Sequence, residues 1–205
     1  MQSNLSRTLK VSRVYGERAL NRKEDFKTYN QSSAYASPWS LRQRVLMLAW
    51  GFVWTVFCAW TPKPFNRWRL IWLRLFGMKI YGTPFVHQAA RIQIPWNLTM
   101  HDRACLGDGA FAYSLGEIEI FEDATVAQQA YLCTGTHKFN EPSRPLQTGK
   151  ITVGRSAFIG ARAFVMPGVT IGEGAIVGAC SLITRHVDPH TTVAGNPAHL
   201  IRKLV

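Results

Sequence analysis

From Val153 to Val187 the apolar positions of this chain recur every six residues. Aliphatic side chains stand at Val153, Ile159, Val165, Ile171, Val177 and Ile183, and the fourth position after each is small or β-branched: Ala157, Ala163, Val169, Ala175, Ser181 and Val187. Glycine directly follows four of the aliphatics, as Gly154, Gly160, Gly172 and Gly178. No helical period divides evenly by six, whereas short strands joined by tight glycine-bearing corners do, so the pattern predicts a parallel β-helix. Weaker six-residue phases precede it at Ile80, Val86, Ile92 and Leu98, at Leu106 and Ala112, and at Ile120, Val126 and Leu132. Two-residue slips after Leu98 and before Ile120 read as corner insertions. Three hexapeptides make one turn, with the aliphatic residue pointing into the core of each flat face. A coil buries that face only against its neighbours, so the ends of the stack must be covered.

These periods divide the chain into an all-β solenoid over residues 79–192 and a C-terminal closing segment, 193–205. The frame breaks after Leu132, and the segment Lys138 to Lys150, with Pro142, Arg144 and Pro145, reads as an excursion loop of the kind that carries function. Residues 1–36, rich in Ser, Asn, Gln and Arg, read as a flexible basic tail that buries too little to offset its ordering entropy.

Residues 37–78 have a helical pattern. Val45 to Trp60 is uncharged, flanked by Arg42, Arg44 and Lys63. A helix of that length rises only about 24 Å against a hydrocarbon core of about 30 Å, so a simple transmembrane span is marginal. After Pro64, Trp68, Ile71, Trp72, Leu75 and Phe76 recur at helical spacing while Arg67, Arg69 and Arg74 lie largely on other faces, and Gly77 is a stop. Two readings stay open together: these helices cap the first coil, or residues 41–77 make peripheral contact with an anionic inner-membrane face.

Charge sharpens that contrast. Residues 1–79 carry 14 of the 24 Lys and Arg against Glu17, Glu24 and Asp25, which makes +11 of the net +12. The solenoid is therefore near neutral. Nucleic acid is not expected as a partner, because the basic residues are interleaved with large apolar ones and no recognition motif accompanies them. Cys58, Cys105, Cys133 and Cys180 lie far apart without CxxC pairing, which argues for reduced core thiols in a cytoplasm. The N-terminus lacks an apolar stretch of the secretory type.

Of six histidines, His137 stands out, because it ends the strand Tyr131-Leu-Cys-Thr-Gly-Thr-His137 next to the excursion. A neutral imidazole there can take a proton from a hydroxyl, its ordinary pKa near 6.5 suiting a general base. By itself such a histidine is more often a surface residue.

The hexapeptide run, the Thr134-Gly-Thr-His137 strand end, the proline-containing loop and Val193-Ala-Gly-Asn-Pro-Ala198 with Ile201-Arg-Lys203 resemble the hexapeptide-repeat acyltransferases of the left-handed β-helix class. Trp60-Thr-Pro-Lys-Pro-Phe65, Arg74-Leu-Phe-Gly77, Pro95-Trp96 and Leu115-Gly-Glu-Ile118 narrow the resemblance to the colanic acid acetyltransferases of exopolysaccharide gene clusters. It covers roughly Ser37 to Val205. It implies left-handed coiling, a homotrimer, acetyl-CoA in the groove between subunits, and direct attack on the thioester by a saccharide hydroxyl that a histidine deprotonates.

Carried over, His137 matches that base, with Tyr113, Cys133 and Thr136 as acceptor contacts. Tyr113 stands where related galactoside and maltose enzymes have an asparagine, which suggests a different sugar. Gly160, Ala161, Gly178 and Ala179 suit close approach of a pantetheine chain, or simply meet the needs of β-helix corners. Arg162, Arg185, Arg202 and Lys203 are cations for its phosphates, and Asn196-Pro197 resembles the turn that closes over the cofactor.

No metal is expected. The zinc-holding carbonic anhydrases of the same fold need paired histidines on adjacent coils, and His87 and His101 are out of phase with His137. A membrane-bound, non-enzymatic scaffold of polysaccharide assembly would explain the helices but not the Thr134–His137 or Gly195–Pro197 segments. The acceptor sugar and its hydroxyl, a lipid-linked acceptor, the acyl group and N-acylation of an amino sugar stay open.

Overall fold

The structure, a computed structural model, describes residues 26–29, 31 and 36–204. Of the tail expected over residues 1–36, residues 1–25, 30 and 32–35 lie outside them. Residues 79–195 wind as a three-sided β-solenoid with parallel pairing between coils. The first face stacks Lys79–Ile80, Leu98–Met100, Ile118–Ile120, Ile151–Val153 and Thr170–Ile171. The second stacks Phe85–Val86, Cys105–Leu106, Thr125–Val126, Phe158–Ile159, Ile176–Val177 and Thr191–Gly195. The third stacks Arg91–Ile92, Phe111–Tyr113, Tyr131–Cys133, Phe164–Val165 and Leu182–Ile183.

The sixfold aliphatics are the register residues of these stacks. Val153 pairs with Ile120 and Ile171, Ile159 with Val126 and Val177, and Val165 with Leu132 and Ile183, all buried. The early phase is corrected by two residues: Met100, not Leu98, lies in register with Ile80 and Ile120. The slip falls earlier, at the 3-10 turn Pro95–Asn97. There the buried Ser114 hydroxyl donates to Ile94 O at 2.8 Å and accepts from Ile94 N at 2.9 Å, and Asn97 Nδ2 donates to Ser114 O and Leu115 O. These bonds replace the ladder that the longer corner interrupts.

The glycines after the aliphatics serve a different purpose from the expected one. A Cβ on Gly160 would lie 2.6 Å from Ala179 N, and one on Gly172 would lie 2.4 Å from Pro189 N. The backbone of the next coil occupies the space a side chain needs. The left-handed corner positions are held largely by other residues, among them Arg103, Asp123, Gln129, Ser156, Arg162, Cys180 and His190.

Two helices close the first coil: α1, Leu41–Val53, continued by a π-helical turn over Trp54–Cys58, and α2, Asn66–Leu75. A capping box between Ser40 and Gln43 starts α1, satisfying two otherwise orphaned N–H groups. The outer backbone edge of the first coil is paired by helix side chains. Trp50 Nε1 donates to Ile92 O at 2.8 Å, Arg69 Nε donates to Val86 O at 2.9 Å, and Asn66 accepts from Val86 N while donating to Pro84 O. Capping is thus a role of these helices.

The face of α2 that does this differs from its apolar stripe. Arg69, Leu70 and Leu73 are buried, whereas Trp68, Ile71 and Leu75 are exposed. Arg69 is fully buried, with its remaining N–H groups on Thr61 Oγ1 and the carbonyls of Thr61, Pro62 and Lys63.

At the other end, Ala198–Lys203 doubles back antiparallel on Thr191–Gly195 across a turn holding the cis Asn196–Pro197 bond. The excursion is more ordered than a loop. Gly135–His137 and Leu146–Gly149 form an antiparallel hairpin, so only residues 138–145 connect them. Phe26–Thr28, placed by sequence in the flexible tail, pairs antiparallel with Leu146–Gly149 as a third strand. Tyr29, Trp39 and Met47 then pack on Ile94, Leu115 and Leu146 at the base of the hairpin. All four cysteines are free, but only Cys58 is buried; Cys105 and Cys133 are half-buried on the outside of their strands and Cys180 is an exposed corner. They are not core thiols of the solenoid.

Candidate active site

His137 ends the first strand of the hairpin, opposite Leu146. Its ring is exposed, and Nδ1 lies 2.8 Å from the carbonyl oxygen of Arg144 across the loop. A carbonyl only accepts, so Nδ1 carries the proton and Nε2 of the neutral ring keeps its lone pair. Arg144 sits at φ 43° and its N–H donates to Glu141 O at 3.0 Å. That conformation, with the ion pair of Lys138 and Glu141, shapes the loop that presents the carbonyl.

The strand leading to His137 is anchored from below. The buried Thr134 hydroxyl donates to Tyr113 O at 2.6 Å and accepts from Gly116 N at 2.9 Å. Tyr113 pairs with Cys133 across the third face. A Cβ on Gly135 would meet Leu115 Cδ1 at 3.0 Å and Tyr113 Cε1 at 3.3 Å, so the phenol ring lies against the backbone two residues before His137.

Burial pushes the Tyr113 phenol and the Cys133 thiol up, and drives Tyr131 to about 12. All three stay protonated near neutrality, and His137 is the group among them suited to accept a proton. Cys133 Sγ faces Gly135 O at 3.3 Å. Thr136 alternates to the opposite side of the ribbon from His137, so these two do not face one acceptor position from a single side of the hairpin.

The proposed cofactor residues separate into groups. Gly160-Ala161 and Gly178-Ala179 stack directly as consecutive corners between the second and third faces, tied by Cys180 N to Ala161 O at 2.9 Å. Gly195 continues this column through its N–H on Ser181 Oγ, bringing the Asn196–Pro197 turn over it. Arg162 is at the same corner, its Nε on Gln129 Oε1 at 2.7 Å. Arg185 lies instead at the corner between the third and first faces. Arg202 and Lys203 pair with Thr192 and Thr191, at the far end of the second face. Three and four residues of strand, about 10 and 13 Å, separate them from Gly195. Within one chain Arg162 alone of the four cations stands at the small-residue column; Arg185, Arg202 and Lys203 do not converge on it.

His137 is offset from that column as well. The hairpin leaves the third face at Thr134, while the column borders the same face beyond Ala130, again about 13 Å along the strand. Between them runs an outward aromatic ladder, with Phe111 and Phe164 each 4.9 Å from the Tyr131 ring and Arg91 over Phe111 at 4.4 Å. Among the described residues no group of three or more His, Cys, Asp or Glu side chains could hold a metal ion.

The family model "Bacterial transferase hexapeptide (six repeats)" matches residues 150–185. Over 160 residues, 78% of this chain and 87% of the relative, the chain is 38% identical to the Escherichia coli (strain K12) protein named "Putative colanic acid biosynthesis acetyltransferase WcaF". The chain belongs to the hexapeptide-repeat acetyltransferases. As one of these acetyltransferases it is an acyl-CoA-dependent enzyme with acetyl-CoA as co-substrate.

Solved structures of other acetyltransferases share the fold at low identity. A maltose O-acetyltransferase from Clostridium difficile 630 superimposes with a TM-score of 0.69 at 22% identity, over 81% of this chain and 90% of that one. A Vibrio cholerae O1 biovar eltor acetyltransferase complexed with acetyl-CoA gives 0.73 at 19% identity, over 83% and 93%. Two positions that sequence reasoning missed now matter. Thr134 could have been found as the short polar residue that takes the core position next after Leu132 at the strand end, but nothing in the sequence marks the carbonyl of Arg144.

Proposed function

We propose that this acetyltransferase moves the acetyl group of acetyl-CoA to a hydroxyl of a saccharide in exopolysaccharide or related glycan synthesis, with His137 as general base. The observation that carries the reading is the bond from His137 Nδ1 to Arg144 O at 2.8 Å, which leaves Nε2 as an outward acceptor. Nε2 takes the acceptor's hydroxyl proton as its oxygen attacks the thioester carbonyl. The C–S bond then breaks, and the thiolate recovers the proton from the imidazolium, giving an acetyl ester and CoA. Base catalysis contributes roughly 10²- to 10⁴-fold, the remainder coming from orientation and from donors to the developing oxyanion.

The offset between His137 and the small-residue column supports a homotrimer. If the hairpin of one subunit lies along the corner column of the next, base and thioester share a groove that one chain lacks. Arg185, Arg202 and Lys203 would then reach the cofactor's phosphates only from a neighbouring copy. Four free cysteines fit a reducing cytoplasm.

The test is release of CoA from acetyl-CoA by the full chain with a panel of saccharide acceptors, alongside light scattering for subunit number. Acceptor-dependent release by a trimer, abolished in His137→Ala with acetyl-CoA binding retained, is expected. Loss of acetyl-CoA binding in parallel with turnover would assign His137 a structural role and overturn the reading.

A further inference from the structure

The two N-terminal helices cover the solenoid with one side and leave the other side bare. Leu41, Val45, Leu48 and Phe52 follow each other at spacings of four, three and four along α1, which places them on one stripe, and all four are exposed, Leu48 at 76% and Phe52 at 65%. The stripe continues past the π-helical turn to Trp60, 70% exposed, and Leu75 on α2 is equally open. Phe57 stacks on Trp72 at 5.1 Å and Trp68 Nε1 donates to Phe57 O, so both helices present this surface as one unit. Between them Leu46, Leu75, Phe76 and Trp96 line an apolar groove of about 710 Å³ with Arg42 at its rim. Such an area of contiguous apolar surface on a folded chain marks an interaction site.

Charge selects the partner. Arg42, Arg44, Lys63, Arg67 and Arg74 surround the apolar stripe and are all exposed. From Phe26 to His101 the chain carries nine Lys and Arg and no Asp or Glu. A second copy pairing through this face would bring cation against cation with no carboxylate to answer. No described helix is long and apolar enough to cross a membrane, and α1 with 13 residues rises about 20 Å against a hydrocarbon core of about 30 Å. An apolar stripe bearing tryptophan, with cations at its borders, matches the depth profile of a bilayer surface instead: acyl chains beneath, anionic headgroups at the rim.

We infer that the outer face of α1 and α2 docks this protein on an anionic phospholipid bilayer, lying in the interface while the inner face stays sealed on the first coil. Docking is independent of the acetyl-transfer reading, and its test reads no turnover. Full-length protein is floated with vesicles of phosphatidylcholine alone and of phosphatidylcholine with one-third phosphatidylglycerol. Retention on the anionic vesicles at least tenfold stronger than on neutral ones, falling as salt is raised, is expected. The double variant Leu48→Glu, Phe52→Glu is expected to lose at least tenfold in retention, and Arg42→Glu, Arg74→Glu to lose the anionic preference. These side chains are exposed, so unchanged circular dichroism and melting temperature verify the fold. Three results would each overturn the proposal: no retention on either vesicle, undiminished retention of the Leu48/Phe52 variant, or a wild-type assembly that this variant splits, which would mean that another copy covers the face.

Discussion

His137 Nδ1 is 2.8 Å from Arg144 O, a contact between a strand end and a loop carbonyl seven residues later. One short polar contact thereby sets which nitrogen of an exposed ring is free to act as a base. His137→Ala is expected to lower kcat roughly 10²- to 10⁴-fold, leaving the dissociation constant of acetyl-CoA within about twofold. Steady-state rates beside calorimetric titration of acetyl-CoA check it.

Arg144 acts through its backbone, so its side chain should be dispensable and its conformation should not. Glycine adopts φ 43° freely, whereas proline is held near −65° and loses the N–H that bonds Glu141 O. A hydrogen bond to an imidazolium contributes about 1.5–3 kcal/mol. Arg144→Gly should keep most of the turnover and Arg144→Pro should lose roughly 10- to 100-fold in kcat. The nitrogen chemical shifts of His137 report the tautomer directly. Both variants turning over alike would remove Arg144 O from the mechanism.

Gly160 and Gly172 separate the two purposes of small residues. A Cβ at either meets backbone of the next coil, at 2.6 Å and 2.4 Å respectively, so Gly160→Ala and Gly172→Ala should each cost about 1–3 kcal/mol in urea unfolding. Only Gly160 stands in the column proposed to take pantetheine. A weakened acetyl-CoA titration in Gly160→Ala, with Gly172→Ala unaffected, is expected; equal losses would reduce both glycines to coil stacking.

The solenoid was legible because Val153, Ile159, Val165 and their successors repeat without insertion, and a period of six has one economical structure. Legibility faded where corners grew longer. Leu98 and Met100 are both buried, so hydropathy alone cannot say which keeps register. The helices and their capping role were legible, but hydropathy does not pick out the inner face of α2: Trp68, Ile71 and Leu75 form its exposed apolar stripe, yet Asn66 and Arg69 carry the polar groups that the open strand edge of Val86 and its neighbours needs. Unpaired backbone outranked side-chain hydropathy in choosing the inner face. The site was partly legible. His137 ended its strand as expected, but the convergence of Gly160 and Gly178, and the distance of Arg202 and Lys203 from them, are properties of winding.

That role for Arg69 is testable. Arg69→Met fills similar volume but strips the donors from the carbonyls of Val86, Pro62 and Lys63. With the buried acceptors Val86 O and Thr61 Oγ1 left unpaired at about 1–3 kcal/mol each, unfolding free energy should fall by roughly 2 kcal/mol or more. A change below about 1 kcal/mol would mean that water reaches those carbonyls and that the edge needs no arginine.

Cys58 gives the same junction a pH signature. Burial drives its thiol from 9.0 to about 11, against a smaller opposing pull from Arg69. The folded state therefore holds the thiol proton through a range in which the unfolded chain has released it. Its stabilising contribution is fully present below pH 9 and is lost as pH rises toward about 11, a difference of roughly 2–3 kcal/mol. Urea unfolding across that range should show a steeper decline for the native chain than for Cys58→Ala. The comparison between the two cancels Tyr131, which burial also raises, to about 12, and which loses its contribution at higher pH. Parallel declines would mean that Cys58 meets solvent before global unfolding, and that the joint between the helices and the first coil opens on its own.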